Sequence, residues 1–504
     1  MAKIYSTPGV YIEEKSAFST SVVPVATAVP CFIGFTEIAT RNHEPLTNQP
    51  IKIASFDEFT RYFGGPPKIK YTVAFSEEGF PETITPVQES LYYLYYSLKL
   101  YYSNGGGDCF IYSTGGYGGD KLNGDMVEQA IKKLEKEPEP TLVVIPDGHT
   151  MESAADYYGL WKPITEHCKS MINRFAVLDI FGGGNPDNLK EPSDIQKLYD
   201  DFKNGVTGNE LAYGAIYWPW VQATVVQSSE LDFNNIENLS DGVVPKLKEE
   251  ITRMYPEIKG EPDPRGVQIQ ALIDNLGDPE STDTAELSRQ NNALLQTSPL
   301  FKSIMKRVRD VANVLPPSGA MAGVYKLVDS SVGTHQSPAN VGLSSVARPL
   351  VNLTDQEQET LNIPIDGKAI NAIRAFPGKG TLVWGARTMD GNSQDWRYIS
   401  VRRTVSMIEL SIKYAAEAFV FEPNTSSTWS NLKAMITNFL TNMWYMGALA
   451  GASPDASFSV EVGLGNTMTP VDILDGYMRV SVKLAVTRPA EFIVITFEQQ
   501  MQSS

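Results

Sequence analysis

Cysteine and histidine are scarce in this chain. Among 504 residues there are three cysteines and four histidines, and the histidines lie far apart, without the short spacings that zinc ligands show. Cys31, Cys109 and Cys168 have no paired spacing either, which fits a reducing cytosol and gives no redox motif. The composition therefore predicts neither a metal centre nor a disulfide framework.

Long apolar runs and an excess of basic residues are missing too. The longest apolar stretches, such as NFLTNMWYMGALAGA, are too short and too interrupted to span a bilayer, and the first residues have no apolar core of a secretion signal. Lys and Arg number 42 against 59 Asp and Glu, which gives a formal net charge of −17. Nucleic-acid-binding surfaces are basic. We therefore expect no nucleic-acid partner and no direct insertion into a membrane.

Signatures of catalysis are also missing. The segment STGGYGGDKLNGD lies between a predicted strand and a predicted helix, where a phosphate loop would sit. Gly116 and Gly118 fit the first two glycines of G-x-G-x-x-G, but Lys121 occupies the third position, and no P-loop can be read. A flexible glycine turn is the preferred interpretation here and in DIFGGGNPDN. No catalytic residue, metal ligand or cofactor is predicted, and a nucleotide- or sugar-binding α/β enzyme is kept as the alternative.

Helices and short apolar strands alternate from about residue 87 to residue 220. The predicted strands are DCFIYST, TLVVIPD, RFAVLDIF and AYGAIYWPWV. Their spacing indicates βαβ units and a largely parallel sheet covered by helices. One predicted helix is rich in tyrosine, at Tyr92, Tyr93, Tyr95, Tyr96, Tyr101 and Tyr102. We expect these rings to pack on the sheet, with a stacking platform for a sugar or base as the alternative.

The chain is long enough for several domains, because single cores stop growing near about 250–300 residues. We divide it into an N-terminal arm and linker (1–30), a strand-rich first part of the core (31–86), an α/β domain (87–220), a charged peripheral insertion (221–300), a C-terminal α+β core domain (301–487) and a C-terminal arm strand (488–504). In the core domain, short strands are predicted at GTLVWGART and WRYISVRRT, followed by two helices. The predicted fold class is multidomain α/β and α+β.

Both ends of the chain carry strand-like segments, although chain ends are usually polar and frayed. The N-terminal segment holds Val10, Tyr11, Ile12 and Glu13; the C-terminal segment holds Phe492, Ile493, Val494, Ile495, Thr496 and Phe497. β-Branched and aromatic residues favour strands. An unpaired apolar strand is an aggregation hazard, so these ends require a sheet to join.

Several segments, in order along the chain, resemble contractile tail sheath proteins of bacteriophages and of phage-tail-like contractile injection systems. They are TPGVYIEE at the start, then NGGGDCFIYS, AIYWPWV and VLPPSGAMAGVYKLVDSSVGTHQSPAN. The most specific is a C-terminal block that contains VWGART and ISVRRT followed by IE. The resemblance runs the length of the chain and weakens between residues 221 and 290.

This resemblance implies a structural subunit without enzymatic activity. Such a subunit polymerises helically around an inner tube, and contraction of the sheath drives the tube through a target membrane. The implied partners are further copies of the chain, with or without sheath paralogues, the inner tube protein, and baseplate and tail-terminator or cap proteins. The implied location is the bacterial cytoplasm during assembly, and then a phage tail or a phage-tail-like particle released from the cell. Another tail component, such as a baseplate protein, is the alternative within this class.

The resemblance also implies roles for individual residues. The two terminal arms leave their own subunit and add strands to sheets of neighbouring subunits, with an outward-facing α/β domain beside the core. Hinge candidates flank the arms at Ser16, Ser19, Ser21, Arg488 and Pro489. Tube-contact candidates lie on a late predicted helix at Lys433, Asn438 and Asn442. For that helix the alternative is that its tryptophans, Trp429 and Trp444, simply belong to the core.

Overall fold

The computed structural model describes residues 21–118, 120–257, 261–276 and 284–495. The strands are β1 (Pro30–Thr36), β2 (Thr40–Arg41), β3 (Glu44–Pro45), β4 (Pro50–Ile53), β5 (Tyr71–Phe75), β6 (Pro81–Pro86), β7 (Cys109–Gly116), β8 (Leu142–Val144), β9 (Phe175–Asp179), β10 (Gly214–Trp218), β11 (Val221–Ala223), β12 (Val314–Leu315), β13 (Val341–Gly342), β14 (Val346–Pro349), β15 (Asn371–Phe376), β16 (Gly380–Val383), β17 (Phe458–Val462) and β18 (Val480–Leu484). The α-helices are α1 (Phe56–Phe63), α2 (Leu94–Ser103), α3 (Gly124–Leu134), α4 (Ala154–Gly159), α5 (Trp161–Met171), α6 (Pro192–Gly205), α7 (Val244–Met254), α8 (Pro264–Asp274), α9 (Thr284–Thr297), α10 (Pro299–Ala312), α11 (Ser318–Ser331), α12 (Asp355–Asn362), α13 (Ile399–Ala416), α14 (Ser426–Tyr445), α15 (Pro454–Ser457) and α16 (Pro470–Leu474).

Two compact units divide the described residues. Unit 1 comprises residues 21–25 and Thr404–Thr487, and unit 2 comprises Ala26–Arg403 and residues 488–495. The chain therefore passes from unit 2 to unit 1 within α13, and returns to unit 2 after Thr487. The fold class is multidomain and mixes helices with strands, as predicted.

Unit 2 is built around a nine-stranded sheet with the order β13-β16-β15-β10-β9-β8-β1-β7-β4. The six strands from β15 to β7 run parallel to one another. At the two edges of the sheet, the pairs β15–β16, β16–β13 and β7–β4 are antiparallel. A largely parallel sheet was predicted from the alternating helices and strands. The sheet also takes strands from the segments 31–86 and 301–487, since β1 lies in its interior and β15 extends it beyond β10.

The cores of unit 2 lie on both faces of this sheet. All seven residues of β1 are buried, and they alternate between two clusters, with Phe32 in one and Cys31 and Ile33 in the other. Because strands of this kind are buried on both faces, their sequences are continuous apolar runs. The tyrosine-rich helix α2 packs in the first cluster, where Tyr95, Tyr96 and Tyr101 are buried. The prediction that these rings pack on the sheet is confirmed.

Local capping signals begin several of these helices. Ser55 caps α1 and accepts a hydrogen bond from the backbone N–H of Glu58. Asn123 caps α3 in the same way through the N–H of Met126. These side chains satisfy backbone donors that have no partner inside the helix.

One local expectation was wrong. WRYISVRRT was predicted as a strand, but α13 begins at Ile399 within it. Residues 399–408 are all buried, the polar side chains of Arg402 and Arg403 included. Polar residues therefore do not mark an exposed helix face here, and the β-branched Ile399 and Val401 favour a strand. The segment 221–300, expected as a peripheral insertion, contains all of α7, α8 and α9, and its Leu247, Ile251 and Leu294 are buried in the first cluster.

Unit 1 contains an antiparallel pair, β17 and β18, and the long helix α14. Apolar residues of α13, α14 and β17 form its core, with Ile408, Ile436, Leu440 and Val460 among the buried members. Val22, near the start of the described chain, also belongs to this core.

Candidate assembly site

The β17–β18 pair is a small sheet with open edges. The two strands pair from Phe458 opposite Leu484 to Val462 opposite Val480, and neither has a third partner strand among the residues that the structure describes. Just beyond β18, Val486 forms an isolated bridge to Leu449. A two-stranded sheet is marginal in water, and a free edge presents unpaired backbone donors and acceptors to any strand that reaches it.

The C-terminal arm supplies an apolar segment of the composition that such an edge accepts. The exposed fractions of Phe492, Ile493, Val494 and Ile495 are 66%, 79%, 88% and 69%. These residues form no strand with any described part of the chain. The remaining arm residues predicted from the sequence, Thr496 and Phe497, lie outside the described residues.

The N-terminal arm is described only at its root. Val10, Tyr11, Ile12, Glu13, Ser16 and Ser19 lie outside the described residues, and Ser21 is the first residue within them. Beyond it, Val22 is buried in the core of unit 1, and the backbone N–H of Val25 donates to Ser411 Oγ of α13 at 3.0 Å. The chain is thus held in unit 1 within the predicted arm and linker, directly after the hinge candidate Ser21.

The root of the C-terminal arm is Glu491, whose carboxylate accepts four hydrogen bonds. Arg387 donates from Nε to Oε1 at 3.1 Å and from Nη2 to Oε2 at 2.7 Å. Asn362 Nδ2 reaches Oε1 at 2.5 Å, and the Tyr398 hydroxyl reaches Oε2 at 3.1 Å. Burial by itself would raise the pKa of Glu491, but these donors hold that pKa below its ordinary value. We call Glu491, Arg387, Asn362 and Tyr398 the arm clamp.

The helix α14 separates a buried face from an exposed one. Leu432, Ile436 and Leu440 face the core of unit 1, whereas the tube-contact candidates Lys433, Asn438 and Asn442 are all exposed. Trp429 and Trp444 are half-buried, and their indole N–H groups donate to Asn424 Oδ1 and to the carbonyl of Gly451. These tryptophans therefore lie at the margin of the core.

Aromatic side chains pack closely on the backbone beyond the C-terminal end of β9, one of the strand ends where an α/β enzyme could bind a ligand. A Cβ added at Gly183 would lie 2.6 Å from atoms of both Trp218 and Trp220. The DIFGGGNPDN glycines therefore allow indole rings to approach the backbone, and the interpretation as a merely flexible turn was incomplete. The His149 ring packs 4.8 Å from that of Trp220.

Asp147, at the same sheet edge, is fully engaged in structure. It accepts hydrogen bonds from the backbone N–H groups of Phe35, Tyr93 and Leu94. Burial raises the pKa of Asp147 to about 6, although the three donors act in the opposite direction. The carboxylate thus ties β1 to the start of α2.

Within the described ranges, no group of three or more His, Cys, Asp or Glu side chains is placed to hold a metal ion. In the same part of the chain, no helix has the length and apolar character needed to cross a membrane.

Comparisons with known proteins agree with this geometry. Residues 392–500 match the phage tail sheath C-terminal domain. The tail sheath protein of Vibrio phage KVP40 is 25% identical over 232 residues, which cover 45% of this chain and 31% of that protein. The match thus spans about a third of the length of this curated relative.

Solved structures resemble the chain over nearly its full length. The sheath of the anti-feeding prophage in its contracted state has a TM-score of 0.61 and 27% identity, and the match covers 99% of this chain and 100% of that one. The contracted sheath complex of the PVC extracellular contractile injection system has a TM-score of 0.60 and 26% identity, with 99% of each chain covered. In its C-terminal region and in its fold over nearly the whole chain, this protein is thus similar to contractile sheath proteins.

Proposed function

We propose that this chain is a structural subunit that polymerises helically around an inner tube and contracts to drive the tube through a target membrane. One observation carries the proposal: a terminal segment of four exposed apolar residues occurs in a chain that also has a two-stranded sheet with open edges. Each subunit lends its arm to the sheet of a neighbour by β-augmentation. Such a contact joins unlike surfaces, so it propagates as an open helix instead of closing a dimer.

The energetics of one arm are close to balanced. Burying four large apolar side chains contributes at most about 1.5–3 kcal/mol each, and each ladder hydrogen bond adds about 0.5–1.5 kcal/mol net. Ordering the backbone costs about 1–2 kcal/mol per residue. A single arm is therefore weak, whereas two arms per subunit gain effective concentration within a lattice. The N-terminal arm, with Val10, Tyr11, Ile12 and Glu13, is the second strand donor in this proposal.

The hinge candidates fit this arrangement. Arg488 and Pro489 lie between Thr487, the last residue of unit 1, and Glu491, which is held in unit 2. The contact of Arg488 is an exposed ion pair with Asp395 at 3.7 Å, and exposed pairs contribute little. On the N-terminal side the proposed hinge is Ser16, Ser19 and Ser21. Bending at these positions would let the units move while paired strands stay paired.

The inner tube is the proposed partner of the exposed face of α14. Lys433, Asn438 and Asn442 lie on this face, and their side chains offer hydrogen-bond donors without demanding one exact geometry. Baseplate and terminator or cap proteins are the proposed partners at the two ends of the polymer. We propose assembly in the bacterial cytoplasm, within a phage tail or a phage-tail-like particle that is released from the cell.

We also propose that the subunit has no enzymatic activity. The strand ends of the parallel sheet are occupied by Trp218, Trp220 and His149, which leaves the usual ligand position of α/β enzymes filled. The energy for contraction would then be stored during assembly.

Negative-stain electron microscopy of the purified full-length chain, with its tube protein present, tests the function. We expect striated cylinders from the full-length chain. A variant that lacks residues 492–504 should remain folded by circular dichroism and form none. The matched control lacks only residues 499–504, which are polar except for Met501, and should still form cylinders. Cylinders from the variant lacking 492–504 would refute the arm contact, and compact particles alone from the full-length chain would refute the sheath function.

A further inference from the structure

The arm clamp brings three separate segments of unit 2 onto one carboxylate. Asn362 is the last residue of α12, Arg387 follows β16, and Tyr398 immediately precedes α13. All four hydrogen bonds involve the charged carboxylate, and two come from one guanidinium. Bonds to ionised groups, and paired bonds from arginine in particular, are the strong and directional ones.

Arg387 is buried and hydrogen-bonded through both its side chain and its backbone. Its side chain is 3% exposed, and its Nη1 also donates to the carbonyl of Gly391 at 3.1 Å. Its backbone exchanges two hydrogen bonds with the Asn371 side chain, each 2.7 Å long. Asn371 begins β15 and pairs with Tyr217 of β10, inside the nine-stranded sheet. A continuous set of hydrogen bonds therefore joins Glu491 to the central sheet of unit 2.

The chain changes character at Glu491. On its C-terminal side the four apolar side chains of residues 492–495 are two-thirds or more exposed. On its N-terminal side, Arg488 forms an ion pair with Asp395 in which both side chains are at least half exposed. Glu491 is thus the residue at which the arm is attached, and it lies immediately before the first residue proposed to enter a neighbour.

We propose that Glu491 is a positioning residue that fixes where the arm strand begins and carries tension from the arm into the sheet of unit 2. This inference rests on the proposed function, and the arm's partner is a second copy of the chain. The clamp sets the strand register. Phe492 and Val494 face one side of the strand, Ile493 and Ile495 face the other, and a slip of one residue would exchange the two sets.

The order of residues along the chain decides which contact first bears a pull on the arm. A pull on the arm during contraction reaches Glu491 before it reaches Thr487 and β18, which lie upstream. The clamp passes the pull through Arg387 and Asn371 to β15. The small β17–β18 sheet is therefore spared a load that would shear its few hydrogen bonds.

The test compares Glu491→Ala with Asp355→Asn as the matched control. The Asp355 carboxylate forms an ion pair with Arg374 of the same unit, with 2.7 Å between Nη1 and Oδ1. Because the Asp355 side chain is 94% exposed, loss of this pair should change neither folding nor assembly. Glu491→Ala leaves the Arg387 guanidinium, which is 3% exposed, without this counter-charge, so we expect a lower melting temperature than in the control, with the subunit still folded by circular dichroism at the assay temperature. The subunit concentration needed for polymerisation should rise by at least about tenfold, and the layer lines in diffraction patterns of the cylinders should weaken.

A second variant keeps the test decisive if Glu491→Ala disturbs folding. Tyr398→Phe removes one donor and no apolar surface, so it should fold and show a smaller rise in the same concentration. Unchanged polymerisation and unchanged layer lines in both variants would overturn the clamp while leaving the sheath function intact. Failure of the wild type and of Asp355→Asn to form cylinders would instead overturn the function on which the clamp rests.

Discussion

Replacing Val494 by aspartate separates the stability of the subunit from the stability of the assembly. The Val494 side chain is 88% exposed in the subunit. Substitutions at such positions usually change the free energy of unfolding by no more than about 0.5 kcal/mol. The isolated variant should therefore unfold at the same temperature and denaturant concentration as the wild type.

The effect on assembly should be large because the proposed contact buries this side chain in a neighbour's sheet. The lost transfer of a valine costs about 1.5 kcal/mol. A carboxylate taken out of water without a partner costs several kcal/mol more. With about 3 kcal/mol for that term, the total loss per arm is about 4.5 kcal/mol, which is roughly a thousandfold in the equilibrium constant.

Sedimentation of polymers over a range of subunit concentrations measures this loss, with electron microscopy to identify the pelleted material. The matched control is Val267→Asp, an equally drastic change at a 52% exposed position on α8, in the insertion that is proposed to face outward. We expect the control to polymerise like the wild type and Val494→Asp to remain in the supernatant. Equal polymerisation of the two variants would refute burial of Val494 in a neighbouring subunit.

Four further outcomes can be checked on the subunit alone. Asp329→Ala leaves Arg403, buried and paired with it, without a counter-charge, so urea unfolding should show a loss of about 3–5 kcal/mol. Because the pKa of Glu491 is lowered in the fold, the clamp's contribution is present above the unfolded pKa of about 4.3 and is lost as pH falls through the folded pKa. Proteolysis of the arm should accelerate on acidification in the wild type but show no such rise in Glu491→Gln. Asp147→Asn turns an amide N–H₂ toward a backbone donor and should cost about 1–3 kcal/mol by the same urea assay. Phe439→Ala opens the core of unit 1, and calorimetry should show a loss of about 3–5 kcal/mol.

The two ends of the described chain are held in different units. Val22 and Val25 are tied to the core and to α13 of unit 1, whereas Glu491 is tied to the sheet of unit 2. Under the proposed function, the N-terminal arm would therefore load unit 1 and the C-terminal arm would load unit 2. Each subunit would then be connected to its neighbours through both of its folded bodies.

The sequence by itself determined the features that depend on local chemistry. The apolar runs DCFIYST and RFAVLDIF and the regular alternation of strands and helices predicted buried strands in a largely parallel sheet, and both are present. Ordered short motifs identified the sheath family. The apolar and β-branched character of residues 492–495 predicts an arm strand, and the pairing of that strand stays a prediction.

The tertiary structure decided what depends on residues distant in sequence. Arg387 and Glu491 are 104 positions apart, and no spacing rule links an arginine to a particular carboxylate over that distance. β15 joins the sheet beside β10 although about 150 residues separate them, since strand order follows from packing rather than from periodicity. Burial on all sides likewise made the start of α13 helical where its β-branched residues favoured a strand. Local patterns thus specified the elements and the family, and long-range packing alone specified the clamp, the sheet order and the division into two units.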